Sequence, residues 1–591
     1  MKIKNLVAFA LALAGVAGGA SAQTFVSADV TVNTTWCGAA NPGPIILQNA
    51  IFVKNGAILT ILPNCDVRGQ PRTAAVLAGS TVGVPGSLIV TQSGRLVADG
   101  SSSQPIIFTS AAVDNDDNGI ADDLDASGFK DEYPGFLPGG GCPGACTPAT
   151  TAQAEFLDDT PRTAPLAPLD LAGNSNTQLW GGVVLLGHAP TNLADECGTP
   201  PGYGKCTIEG LTIPGFPIAD ATFGGVLPHD NSGSVRFVSI RHAGDEVGSS
   251  NELNGLTMGG VGSGTTIENV EVYVNFDDGI EWFGGTNNSK YLHVAFAGDD
   301  TFDLDQGYTG VNQYLFGVMA FFNENDGQPF GSASGDKGGE FDGDDFRPDN
   351  ATLNDNLNRR QGYNGVADLT PWPLSHPAMY NMTIIGTTLP GSPDFTPVSP
   401  AGTNRGLQFR NGYAGDVFNS IVVNTGAETG IEVDTGGTSP AGFHVTDNAT
   451  NDLIALVCST LDDGAATAVQ EDTVITNGND LSLSLGGGNG SANVVNDVNT
   501  ITLAATVFSG LVKEDQSFNP TGNVDGKLVA SLKTSPINPR PNLTGGIIGC
   551  VAPQNPGVDR SATFRGAFAR TAPTLWTTGW TALSIGGLLA N

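Results

Sequence analysis

The feature that most constrains the chain is a tandem in Val270–Gly307, VEVYVNFDDGIEWFGGTNNSKYLHVAFAGDDTFDLDQG. Its two halves register at an interval of 22 residues. Val272 falls on Val294, Val274 on Phe296, Asp277–Asp278 on Asp299–Asp300, Glu281 on Asp303, and Gly285 on Gly307. Apolar and polar residues alternate within each half, the period of a strand with one buried face. A strand pattern recurring at a fixed interval of this size describes one coil of a β-solenoid, whose stacked coils bury a continuous core. At 591 residues the chain exceeds what one globular core supports, and a solenoid escapes that limit by growing along one axis. The 81 glycines, 36 prolines and 14% charged residues agree with a turn-dense β chain.

Residues 1–22 read as a signal peptide. Lys2 and Lys4 supply the charge, Leu6–Val16 the apolar stretch, and Ala20-Ser21-Ala22 the cleavage site before Gln23. The expected location is therefore extracellular or at the cell surface. No later apolar run is long enough to cross a membrane, so no transmembrane segment is expected. A formal charge of −34 argues against nucleic acid as a partner, since phosphate neutralisation needs a basic surface. The same acidity suits divalent cations. Eight cysteines in an exported chain read as disulfides. Sequence neighbours are spatial neighbours in a solenoid, which predicts Cys37–Cys65, Cys142–Cys146, Cys197–Cys206 and, by remainder, Cys458–Cys550.

Residues 23–110 form N-terminal coils, marked by AIFVKNGAILTILPNC, GSLIVTQSGRLVADG and PIIFTSA. An insertion rich in Asp, Pro and Gly occupies 111–178. Regular coils follow over 179–345, a second insertion over 346–404, and further coils over 405–435. Residues 436–591 read as an irregular β region, with a short helix at Leu453–Leu461. Its tail, with Trp576 and Trp580, reads as a cap, because an open solenoid end is an unpaired edge. The predicted fold class is all-β, a right-handed parallel β-helix with long loop insertions and a C-terminal cap.

The first insertion holds DNDDNGIADDLD, Asp114–Asp125. Oxygen donors fall at positions 1, 3, 5, 9 and 12: Asp114, Asp116, Asn118, Asp122 and Asp125. Gly119 takes the sharp turn at position 6, and Ile120 offers its carbonyl at position 7. That is the spacing of an EF-hand-type Ca2+ loop. It resembles the calcium loops of dockerins and thrombospondin type 3 repeats, where Asp closes the loop.

WGGVVLLG (Trp180–Gly187), NSGSVRFVSIRHAG (Asn231–Gly244) and DDGIEWFGG (Asp277–Gly285) resemble a family of secreted bacterial β-helix proteins of the pectin-lyase-like class. The resemblance spans Thr24 to Asp345 and implies a fold and an address, not a reaction.

Upstream of the tandem, Ile240 falls above Val272 and places Asp245–Glu246 over Asp277–Asp278. Downstream, Val318 falls below Val294 at an interval of 24 and places Asn323–Glu324 under Asp299–Asp300. One corner is thus acidic on four successive coils. Three readings stand. Asp and Asn recur at turns because they bond their own backbone. Alternatively, Asp277, Asp278, Asp299 and Asp300, with Asp303 or Glu281, bridge a second Ca2+ between coils about 4.8 Å apart. The third reading is catalysis. Asn275-Phe276-Asp277 and Gly298-Asp299-Asp300 are similar to polygalacturonase motifs, which would make Asp277, Asp299 and Asp300 catalytic candidates. The chain departs from that family: no His-Gly or Arg-x-Lys follows. The resemblance to polysaccharide lyases of this fold would require a Lys or Arg base, and no motif places Lys290 or Lys337 in register. His242 and His293 read as structural, and Trp282 as core, on the parity of Ile280. The expected function is a calcium-binding surface protein with a structural, adhesive or glycan-binding role. A polysaccharide hydrolase or lyase acting at the Asp277/Asp278/Asp299/Asp300 corner is the alternative.

Overall fold

The structure, a computed structural model, describes residues 23–72, 84–113, 156–168, 175–192, 206–208, 211, 217–245, 252–320, 336–343, 375–386, 405–410, 413, 415–423, 429–433, 455–457, 460–461, 469–471, 494–495, 537–541 and 557–590. The signal peptide, the Asp114–Asp125 loop, and Cys142, Cys146, Cys197, Cys458 and Cys550 lie outside them. Among the described residues no helix is long and apolar enough to cross a membrane.

The described strands form a 17-stranded sheet and a ten-stranded sheet, plus one small two-stranded pair. Every pairing between coils is parallel, as in Thr266–Asn275 with Ser289–Ala297 and Ile280–Phe283 with Phe302–Asp305. Parallel neighbours 22 residues apart are what the tandem demands, and the chain is a parallel β-helix. Val272 pairs with Val294, Glu281 with Asp303, and Ile240 with Val272. Inward residues of both sheets, among them Val270, Val272, Ile280, Trp282, Phe302 and Leu304, make one continuous core. Trp282 is fully buried and stacks on Tyr308 with ring centroids 5.5 Å apart.

The next coil is one residue shorter than the sequence reading. Gly317, not Val318, lies under Val294, and Val318 lies under Ala295. Side chains alternate faces, so this slip turns Val318 outward. It packs in an apolar cluster on the outside of the first sheet. Asn323–Glu324 lies outside the described residues, and the coil under Asp299–Asp300 is instead completed by Asp336–Lys337, where Thr301 N donates to Lys337 O. Above the tandem, Gly255 N donates to Asp278 O, which puts Asn254 over Asp278. Asp245 forms an ion pair with Arg72 (3.0 Å).

The long strands of the first sheet share one bend, and Thr266–Asn275 and Ser289–Ala297 carry a second at Val274 and Phe296. Pairing skips Phe237, Asn269, Tyr291, Tyr314 and Asn381, which share a left-handed corner (φ 47°, 55°, 58°, 64° and 53°). Asn tolerates this region, whereas Phe and Tyr are disfavoured there. The C-terminal tail explains their retention. Phe237 meets Trp580, Tyr291 meets Trp576, and Tyr314 meets Phe564. Asn381 Nδ2 donates to Phe564 O. The tail, predicted as an end cap, therefore runs along the side of the solenoid, over the outer face of the first sheet. Its Phe568, Leu575, Leu583 and Leu588 share an apolar cluster with Tyr273, Phe296 and Phe316. Each such side chain, fully buried, contributes about 1.5–3 kcal/mol.

The described residues of the helix predicted at Leu453–Leu461 are not helical. Ala455–Val457 and Thr460–Leu461 are strands, paired with Asp416–Phe418 and Ile421–Val423. The preceding coil offers a ladder edge, and pairing with it outweighs local helix propensity. Cys37 and Cys65 form the predicted disulfide. Cys206 is also disulfide-bonded, and its predicted partner Cys197 lies outside the described residues.

Candidate functional site: an acidic strip on the second sheet

Strand alternation decides which side chains leave the second sheet. Ile280, Trp282, Phe302, Leu304 and Phe341 point inward, so Glu281, Asp303 and Glu340 stack in register on the outer side. Asp305 and Asp342 fall two residues further along the same strands, and Arg410 pairs with Asp342. The turns before these strands stack Asp277–Asp278 on Asp299–Asp300 and on Asp336–Lys337. A different surface precedes this strip on the same sheet. There Phe52, Ile89, Val184 and Leu186 lie in an apolar cluster with Ile208, Leu211 and Phe223 of the small two-stranded unit.

Three groups of carboxylates converge. They are Asp277, Asp278 and Asp299; Asp278, Asp300 and Asp303; and Asp299, Asp300 and Asp336. In each group one oxygen per residue lies within 4.8 Å of the others. The turns are tied to each other by Asp300 N, which donates to Asp278 Oδ1 (2.9 Å), and the upper turn is closed by Asn275 Nδ2, which donates to Asp278 O (2.7 Å). Asn254 Nδ2 donates to Glu281 Oε2. Asp277 and Asp299 form the half-buried rim, whereas Asp278 and Asp300 are buried.

Burial and crowding set the charge. Burial, then Asp277 and Asp299, push the Asp278 carboxyl well above the usual range. Burial, then Asp299 and Glu340, do the same to Asp300 against the pull of Lys337. Burial, then Asp278 and Glu340, raise Asp303. Lys337 Nζ lies 2.6 Å from Asp336, 2.8 Å from Glu340 and 3.4 Å from Asp300. Burial disfavours its charge, but Asp300, Glu340 and Asp336 hold it well above the usual lysine value. Burial also opposes the Glu340 charge, yet Lys337, a hydrogen bond with Asp300, and Arg410 pull that carboxyl down to about 2. Arg410 grips Asp342 at 2.7 and 2.9 Å.

The strip suits a hard cation. Calcium takes six to eight oxygens, and clustered buried carboxylates lacking a full set of counter-charges are costly without one. Asp300 Oδ1 is buried and receives no hydrogen bond from any donor among the described residues.

The structure thus brings Asp277, Asp278, Asp299, Asp300 and Asp303 together, as the sequence predicts, with Glu281 at the edge. Sequence reasoning missed Lys337 as an in-register basic residue, together with Asp336, Glu340, Asp342 and Arg410. Gly338-Gly339-Glu340-Phe341-Asp342-Gly343 does repeat the pattern of Gly279-Ile280-Glu281-Trp282-Phe283-Gly284 and carried the signal. His242 and His293 are buried, and each Nδ1 meets a backbone carbonyl, of Asn176 and Phe316.

A family model described as a pectate-lyase like beta helix domain matches residues 168–500, which include the whole strip. No curated protein matches the chain.

Proposed function

The chain belongs to the pectate-lyase-like β-helix family, and from that premise we propose that it is an extracellular or cell-surface protein that binds acidic glycan through calcium held on the strip. The observation that carries this reading is the convergence of Asp278, Asp300 and Asp303, with oxygens within 4.8 Å and all three carboxyls raised by burial. Asp278, Asp300 and Asp303 would hold the ion, with Asp277 and Asp299 at its solvent side. A bound calcium supplies charge neutralisation and open coordination positions for glycan oxygens. The Asp114–Asp125 loop is proposed as a second calcium site, one that orders its insertion.

We assign no bond cleavage to the strip. A general base must be free of its proton at working pH. Three carboxylates hold the proton on Lys337, and Arg410 is likewise paired to Asp342 and Glu340. Inverting hydrolysis places two carboxyls about 6.5–9.5 Å apart around a water, whereas these oxygens stand closer. The test is incubation with pectin, alginate and other uronates in calcium. Retention on an immobilised uronate, abolished by chelator, with no reducing or unsaturated ends released, is the expected result. Release of ends that Asp299→Asn abolishes overturns it.

A further inference from the structure

Two residues ahead of the acidic turns sit in backbone conformations their side chains disfavour. Val274 has φ 57° and Phe296 has φ 66°. A β-branched or bulky residue in the left-handed region is a genuine outlier, and such strain persists only where surroundings over-determine it. The two lie one coil apart, each three residues before an aspartate pair. The backbone that follows them builds the site. Gly298 N donates to Asn275 O (3.0 Å), and Asp300 N to Asp278 Oδ1 (2.9 Å).

The C-terminal tail packs into the apolar cluster that holds both side chains. Val274 and Phe296 are 0% and 1% exposed, in one cluster with tail residues Phe568, Leu575 and Leu583. The same tail is pinned to the strand carrying Val274. Buried Glu271 accepts hydrogen bonds from Ala582 N (2.7 Å) and Leu583 N (3.3 Å).

We infer that residues 557–590 act as a brace that holds the acidic turns in register, with Val274 and Phe296 as the positioning residues through which it acts. The covered face and the acidic strip are thereby one coupled unit. Without the brace, both side chains would meet water in a disfavoured conformation, and relaxation of φ to negative values would swing Asp277–Asp278 and Asp299–Asp300 out of register. The affinity readout rests on the calcium reading proposed above, whereas the exchange readout does not.

The test is Leu583→Asp in the full chain, with Trp580→Ala as the second variant should the first fail to fold. Hydrogen exchange is followed at the amides of Gly279, Gly298 and Asp300, with the amides of Leu59 and Ile61 as the remote reference. Calcium titration accompanies it. Brace release is expected to speed exchange at the three amides, and weaken calcium binding, by about tenfold or more. Adding Val274→Asn and Phe296→Asn, which tolerate the left-handed region, restores both. Unchanged exchange in a chain whose tail is shown by proteolysis to be released overturns the inference. So does slowed or fast exchange that the asparagines leave unaltered. A parent chain that binds no calcium sinks the calcium reading, while the exchange result still decides the brace.

Discussion

The two outer faces of this solenoid are built on the same ladder and spend their side chains in opposite ways. On the first sheet, outward positions are Tyr273, Phe316 and Val318, and a returning segment of the chain covers them. On the second, outward positions are Glu281, Asp303 and Glu340, and two cations of the chain, Lys337 and Arg410, pair with Glu340. The first face is held by burial of apolar surface, which salt and chelators barely touch. The second is held by Coulombic pairing in a poorly solvated setting, where one missing charge is costly. A parallel β-helix can thus place a rigid wall and a responsive surface a few residues apart on each coil.

The sharpest contrast is between two deletions. Lys337→Met leaves Asp300, Asp336 and Glu340 short of a counter-charge and should lower unfolding free energy in excess chelator by about 3–5 kcal/mol. Millimolar calcium should recover much of that loss. Trp580→Ala, on the covered face, should also cost about 3–5 kcal/mol, and calcium should recover none of that loss. Urea melts of both variants measure this, and an equal calcium response in the two erases the contrast.

Acid should act on the faces with opposite signs. Burial lowers His242 to about 4 and lowers His293 despite Glu271. The folded state binds these protons more weakly than the unfolded chain. Their stability is present above about pH 6.5 and is lost as pH falls, on the order of 3 kcal/mol by pH 4 for His242. Asp278, Asp300 and Asp303 are raised, so the calcium-free strip costs stability at neutral pH and regains it as pH falls. Urea midpoints from pH 7 to pH 5 in chelator should fall less steeply in His242→Gln than in the parent. Parallel slopes contradict the assignment.

Asp278→Asn is a smaller perturbation. It removes a buried charge while keeping an acceptor for Asp300 N, so it should stabilise the chelated protein by about 1 kcal/mol and weaken calcium binding. A destabilised, calcium-competent variant would contradict the crowding described. The smallest effect belongs to Arg236–Glu268, an ion pair at 3.3 Å with both side chains a little under half exposed. Glu268→Gln should change stability by less than about 0.5 kcal/mol, and a larger change would show that exposed charge contributes to the covered face.

Much of the strip was legible because the 22-residue interval is strict between Asp277 and Asp303. A regular coil transmits register without ambiguity, and Glu281 over Asp303 follows directly. Legibility ended at residue 320. The chain between Thr301 and Lys337 is longer than one coil, and an insertion hides which residue resumes the ladder. Lys337 and Glu340 were therefore invisible as site residues, although Gly-Glu-Phe-Asp-Gly echoed the tandem. The one-residue slip at Val318 arose because Gly317 takes the place under Val294, so that matching valine to valine picks the outward neighbour. The left-handed corner leaves a trace of its own, a spacing of three between inward residues, as in Ile267 and Val270. The tail was legible as ordered from Trp576 and Trp580 but not as to its docking place, since an apolar segment carries no address. The left-handed aromatics Phe237, Tyr291 and Tyr314 supply that address only once the coils are stacked.

The central claim is that the strip holds calcium. Calorimetric titration of calcium into the full chain and into Asp300→Asn tests it most directly, because the substitution spares the Asp114–Asp125 loop. The account predicts two classes of site in the parent chain and loss of one in the variant. Identical titrations in the two proteins would contradict it.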